Sequence, residues 1–249
     1  MDKIKKAFNA KKANIGYIVA GYPNLNYTAE FINSLDDGAL DLLEIGIAYS
    51  DPLADGKLIS NAAFEAVQNG VNTDSVFDML SKTKTNKCLV FLAYYNLILA
   101  YGEDKFLQKT KEVGVSGLIV PDLPLEESEE FAKKCANLNL AFIPLISVTS
   151  GNRMQDIAKH ASGFIYVVGA LGVTGGGQSP LDRIKDLITQ IRKYSNLPLA
   201  VGFGIKTNED VKKTKLYADG AIVGTKIVEY SGNSTINELN EKIKDLFKD

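Results

Sequence analysis

Apolar residues in this chain fall into short continuous runs, each followed by a longer stretch in which apolar and polar positions repeat with helical spacing. The runs are Asn14–Ala20, Leu42–Ile47, Cys88–Tyr94, Gly117–Asp122, Leu140–Ser147, Gly163–Val168, Pro198–Phe203 and Gly220–Thr225. Continuous apolar runs of this length read as strands. Segments between them, such as TAEFINSLDD, EDKFLQKTKEV, LEESEEFAKKCANL and PLDRIKDLITQIRKY, gather their apolar residues on one helical face. Ser179 followed by Pro180 offers the last of these a cap and a proline at the first helical position. Strands without in-and-out alternation are covered on both faces, so repeated βα units predict a parallel sheet with helices outside it. No low-complexity linker divides the chain. The economical fold is α/β, a single (β/α)8 barrel over residues 1–249 with an extra N-terminal helix. A doubly wound open sheet satisfies the same periodicity, because period alone does not prove closure.

One residue breaks the pattern. The second run, within LLEIGIAYSDPLADG, carries Glu44 among apolar neighbours, and Asp51 and Asp55 follow in a loop containing proline and glycine. Desolvating a carboxylate costs several kcal/mol unless it is paired, neutralised or used. Ligands in parallel α/β folds gather at the carboxyl ends of the strands, where Glu44 and this loop lie. A strand-end residue partly in solvent, or a buried ion pair, accounts for Glu44 equally well at this point. The loop from Ala48 to Ser60 is long for a barrel connection, which favours a working surface.

Composition narrows the chemistry. A formal net charge of -2 over 249 residues gives no bulk basicity for nucleic acid or an anionic membrane. The lysines of MDKIKKAFNAKK precede an apolar run, IGYIVAGYP, that is too short for a targeting or spanning segment and is broken by Gly21 and Pro23. The expectation is a cytoplasmic protein. Cys88 and Cys135 have no CxxC spacing, and His160 is the sole histidine. A metal site or a His-activated nucleophile has little material here, so carboxylates and tyrosines are the expected proton carriers.

Glycine-bearing segments close the chain: GVTGGG after the sixth strand, GFGI after the seventh and GTKI after the eighth. Loops after the last two strands of such barrels commonly bind phosphate with backbone N–H groups. Gly204, Gly224 and Thr225 are placed for that role, with Gly175 contributing from the earlier loop. GVTGGGQS has Gln178 where a P-loop needs lysine, and no GxGxxG opens the chain, so nucleotide chemistry is a poor reading.

Taken together, LLEIGIAYSDPLADG, LIVPDLPLEES, YVVGALGVTGGG, VGFGIKTNEDV and GAIVGTKIVE resemble, in order and over essentially the whole chain, the tryptophan synthase alpha chain family. The resemblance implies a (β/α)8 barrel that cleaves indole-3-glycerol phosphate to indole and glyceraldehyde 3-phosphate, with no cofactor or metal. It implies a beta-chain partner that receives the indole, in an alpha2-beta2 heterotetramer. Its catalytic pair maps to Glu44 and Asp55, its indole contacts to Tyr17 and Tyr166, and its phosphate contacts to Gly175, Gly204, Gly224 and Thr225. Asp51 and Thr174 map to loop and partner coupling. Departures from the family pattern are Thr225 for serine, Ala48 and Tyr49 for a Pro-Phe pair, and Lys57 for proline. Two other readings keep some support: another phosphate-binding barrel, such as a sugar-phosphate isomerase or a Schiff-base aldolase using Lys206 or Lys226, and a binding subunit that only activates a partner.

Overall fold

In a computed structural model of the chain, described over residues 2–9, 11–169, 180–202 and 204–248, the strands form a nine-stranded sheet in which every pairing is parallel. They are β1 (Ala13–Val19), β2 (Leu42–Gly46), β3 (Cys88–Leu92), β4 (Gly117–Ile119), β5 (Ala141–Phe142), β6 (Leu145–Ser147), β7 (Ile165–Val168), β8 (Leu199–Gly202) and β9 (Gly220–Val223). The order is β5-β4-β3-β2-β1-β9-β8-β7-β6, so the two ends of the sheet are consecutive in the chain. Only Ile143 and Pro144 separate them. The Ile143 N–H donates to the Leu118 carbonyl at 2.9 Å on one side, and the Pro144 carbonyl accepts from the Tyr166 N–H at 3.0 Å on the other. These two bonds carry the ladder across the gap and close the barrel.

The predicted strand Leu140–Ser147 is therefore one barrel strand in two pieces. Proline has no N–H to give to a ladder, so regular pairing stops at Pro144 and resumes at Leu145. Several of the other predicted runs overshoot their strands at the carboxyl end, β3 stopping at Leu92, β4 at Ile119 and β9 at Val223, whereas the run Gly163–Val168 starts two residues before β7 and ends with it at Val168. The overshoot is where the chain leaves the ladder to form the upper rim.

Strand pleating sends alternate residues to opposite faces. Ile15, Leu42, Val90, Ile119, Ile143, Phe164, Ala200 and Ile222 point inward and fill the lower barrel as one apolar cluster. Helix α1 (Asp2–Asn9), the extra N-terminal helix, adds Ile4 and Ala7 to that cluster, and its Phe8 ring lies 5.4 Å from the ring of Phe164. It stoppers the amino-terminal mouth. Residues of the other parity, among them Ile18, Leu43, Ile45, Leu89, Phe91 and Leu118, face the outer helices. Helix α2 (Leu25–Ser34) buries Phe31 and Ile32 against them, starting at Asn24, whose side chain accepts from the Tyr27 N–H. Two helices, α3 (Lys57–Gln68) and α4 (Thr73–Ser81), fill the connection from β2 to β3. Outside β6, β7 and β8, Ile146, Ile165, Val167, Leu199 and Val201 pack with Met154, Leu187 and Ile191.

Two positions further along each strand, the same inward parity changes character. Tyr17, Glu44, Leu92, Leu145 and Tyr166 occupy it near the carboxyl ends, above the apolar plug. Tyr17 and Glu44 are direct neighbours in the β1–β2 register.

Candidate active site

Glu44 sits in the middle of β2, with Tyr17 beside it on β1 and Val90 on β3. Its side chain is drawn inward by the pleat because Leu43 and Ile45 claim the outer core. Only 1% of the residue is exposed, and Oε1 has no hydrogen-bond partner among the described residues. Burial alone pushes its pKa from 4.5 up to about 8. The strand-end and ion-pair explanations both fail: Glu44 is neither in solvent nor, among the described residues, in an ion pair.

Asp55 reaches the same space from the loop after β2. Its Oδ2 accepts a hydrogen bond from the Tyr94 hydroxyl at 3.0 Å, and that hydroxyl accepts one from the Ala54 N–H at 2.9 Å. Burial raises the Asp55 pKa, and the bond from Tyr94 opposes the rise. The two carboxyl groups thus differ in kind: Glu44 is left to desolvation, whereas Asp55 has a donor that favours its ionised form. Tyr94, just past β3, was not among the residues that the sequence singled out. Tyr49 stacks on its ring, with centroids 5.3 Å apart and planes 27° apart, and Asn96 Nδ2 donates to the Tyr49 hydroxyl at 3.4 Å. The signal for Tyr94 was its place at the end of the third apolar run, beside the loop that brings Asp55.

Tyr17 and Tyr166 bring the other two phenols. Burial drives both pKa values upward; for Tyr17 Asp55, Tyr94, Glu44 and Tyr166 add to it, and for Tyr166 Glu44 and Asp55 do. Both stay protonated at neutral pH, so each is available to donate a hydrogen bond. Each hydroxyl fits only because a neighbour lacks a side chain: a Cβ on Gly46 would overlap the Tyr17 hydroxyl, and one on Gly202 would overlap that of Tyr166.

These groups open onto a cavity of about 590 Å³ at the carboxyl end of the barrel. It brings together Tyr17, Glu44, Asp55, Tyr166, Gly204, Gly224 and Thr225. Leu92, Leu145, Val168 and Ile222 supply apolar wall, and Lys206 also lines it. Asp51 is exposed in the same loop as Asp55 and does not line this cavity. Gly175, Thr174 and Ser179 lie outside the described residues. The arrangement offers a cavity with apolar wall, two carboxyl groups from β2 and the loop after it, and glycine-bearing loops after β8 and β9. Proton exchange on an aromatic ligand that also carries an anion is the chemistry it suits.

Comparison with known proteins agrees in extent and in fold. A family model described as "Tryptophan synthase alpha chain" matches residues 4–248. The tryptophan synthase alpha chain of Campylobacter jejuni subsp. doylei is 45% identical over 244 residues, covering 98% of each chain. That of Petrotoga mobilis is 43% identical over 232 residues, covering 92% of this chain and 90% of its own. Among solved structures, the alpha subunit from Campylobacter jejuni superposes with a TM-score of 0.92 at 44% identity, covering 98% of both chains. A chain of the Mycobacterium tuberculosis tryptophan synthase in its aminoacrylate-bound form gives 0.88 at 25% identity, covering 98% of this chain and 97% of its own.

The raised pKa of Glu44 has a stability consequence with a definite sign. Between its ordinary value of 4.5 and about 8, the folded chain holds a proton that the unfolded chain has released, so the contribution is fully present at acid pH and lost as pH rises through that window. Glu44→Gln cannot ionise. Its stability relative to wild type, from urea unfolding at a series of pH values, should rise by up to about 1.4 kcal/mol per pH unit inside the window and level off outside it. A flat difference would mean that Glu44 is solvated in the folded chain. For Asp55, Tyr94→Phe removes the opposing hydrogen bond, so the carboxyl titration followed by NMR should move upward, with a stability loss of about 1 kcal/mol. An unmoved Asp55 titration would show that the bond does not form in solution.

Proposed function

The chain belongs to the tryptophan synthase alpha chain family, lyases that cleave indole-3-glycerol phosphate, and we infer that in this chain Glu44 and Asp55 carry the cleavage, within one barrel domain over residues 1–249. The observation that supports the assignment most directly is the Glu44 carboxyl, unpartnered among the described residues and aimed into an apolar cavity.

Breaking the bond between indole C3 and the carbinol carbon leaves an electron pair that needs a place to go. Protonation of C3 by the acid form of Glu44 turns the ring into an indolenine whose C2=N1 bond is that sink. Removal of the carbinol proton then lets the oxygen form the aldehyde C=O while the C–C pair restores the C2=C3 double bond. Glu44 gives one proton and takes one back, ending as it began. A pKa of about 8 keeps the acid form dominant at neutral pH and the carboxylate within reach. Asp55, ionised and held by Tyr94, accepts the ring N–H and stabilises the positive charge that grows on N1. Tyr17 and Tyr166 flank the ring and donate from fixed phenols. Gly204, Gly224 and Thr225 take the phosphate by backbone N–H groups and one hydroxyl, and this contact orients the reacting carbons from a distance; the resemblance adds Gly175, which lies outside the described residues. Asp51 and Thr174 link the two loops to the partner.

The family implies a beta chain as partner. The assembly we propose is an alpha2-beta2 heterotetramer in the cytoplasm, with indole passed to the beta chain for tryptophan synthesis. Among the described residues no helix is long and apolar enough to cross a membrane. Leu53, 82% exposed in the loop that also carries Asp55, is the apolar contact we assign to that interface.

Indole release from indole-3-glycerol phosphate, measured with and without a beta chain, tests these roles. Glu44→Gln should bind substrate and lose nearly all turnover, since shape survives and proton exchange does not. Asp55→Asn should lose about 10²-fold or more in kcat. Near-normal turnover in Glu44→Gln, or an Asp55→Asn effect confined to KM, would remove the assigned role. Sedimentation of the mixed chains should show two copies of each; a one-to-one particle would rule out the heterotetramer.

A further inference from the structure

The cavity is electrically lopsided. Its carboxyl groups, Glu44 and Asp55, belong to β2 and the loop after it, while its one lysine, Lys206, follows β8. In the sheet order, β1 and β9 intervene between β2 and β8. Three strand spacings amount to about 14 Å along the wall. Lys206 lies on the same loop as Gly204 and across from Gly224 and Thr225, the segment assigned to the phosphate.

Two lysines stand near that segment, and their commitments differ. Lys226 reaches Glu229 at 3.0 Å and lies 4.9 Å from the centre of the Tyr230 ring, which holds its ammonium away from the cavity it does not line. Lys206 makes no ion pair among the described residues. The acidic groups nearest it in the chain are already engaged: Glu209 pairs with Lys213 at 2.6 Å, and the Asp210 carboxylate accepts the backbone N–H groups of Lys206 and Thr207 at 3.0 and 2.9 Å. Those two bonds fix the backbone at Lys206 and leave its ammonium uncompensated.

We propose that Lys206 is a specificity residue of the substrate site: its ammonium pairs with the phosphate dianion of the substrate and supplies the charge that backbone N–H groups alone do not. The inference rests on the reading of the site as one for indole-3-glycerol phosphate and adds to it a cation with a role in capture. Backbone donors fix the position of the phosphate; the lysine sets how strongly a dianion is preferred over a neutral group, and how steeply that preference falls with salt. Because the charge lies far from the breaking bond, it acts equally on bound substrate and transition state, and so enters KM and not kcat.

The test uses the full chain with its beta chain, and compares wild type, Lys206→Met, which keeps the alkyl stem, and Lys206→Arg, which keeps the charge. The probes are 3-indolepropanol phosphate and 3-indolepropanol as inhibitors, at low and high ionic strength. In Lys206→Met the phosphorylated inhibitor should weaken by about tenfold and lose most of its salt dependence, with the alcohol unaffected, kcat retained and KM raised. Lys206→Arg should restore most of the preference. An unchanged ratio of the two inhibitors in Lys206→Met would overturn the role of Lys206 and leave the site's reading intact. If wild type releases no indole from indole-3-glycerol phosphate, the underlying reading falls and the inference with it.

Discussion

A buried carboxyl group whose Oε1 has no partner among the described residues is costly to hold, and the layout of the upper half of the barrel follows from accommodating it. Glu44 cannot rotate outward, because the outer face of β2 is filled by Leu43 and Ile45 against the helices. It has almost no exposure to solvent, with Tyr17 beside it and the loop after β2 lining the same cavity. The cost of several kcal/mol is limited by keeping the proton, which is why the group stays neutral near pH 7. Below it the barrel, sealed by α1, is packed by an apolar cluster that includes Ile15, Leu42, Val90, Ile119, Ile143 and Phe164.

The second carboxyl group is handled in the opposite way, and the contrast is what gives the site its range. Asp55 arrives on a loop, a mobile kind of element in general, yet the Tyr94 hydroxyl ties both its side chain and the preceding backbone N–H to the end of β3. Tyr49 and Asn96 brace that phenol. Tyr49 stands where the resemblance leads one to expect a phenylalanine, and its ring packs against that of Tyr94. Lys57, another departure, begins α3 and is exposed, with no contact among the described residues that explains it.

The fold was legible in the sequence because a barrel of buried parallel strands writes itself as repeated continuous apolar runs. All of the eight runs correspond to barrel strands, and the one break, at Pro144, lies where backbone chemistry requires it. Glu44 was legible for the same reason: a charge inside an apolar run is conspicuous. Tyr94 was not, since a tyrosine among apolar residues is unremarkable until the Asp55 loop is seen to fold over it. Lys206 was noted only as a candidate for covalent chemistry, because a sequence does not reveal which neighbouring acids are already occupied. The seams of the barrel were also invisible, as closure depends on hydrogen bonds from Ile143 and to Pro144 that no periodicity encodes.

The glycines opposite the two inward phenols have an evolutionary corollary. Gly46 and Tyr17 are diagonal neighbours across β1 and β2, as are Gly202 and Tyr166 across β7 and β8; in each pair the ring's hydroxyl end occupies the volume that the glycine leaves empty. Neither member can change size alone without expelling the other into the substrate space or opening a void in the wall. Each pair is therefore sterically coupled, and remodelling this pocket for a different ring calls for paired replacements, larger for smaller and smaller for larger. That requirement narrows the routes by which the same barrel acquires a new aromatic substrate to those that begin by trading volume within β1–β2 or within β7–β8.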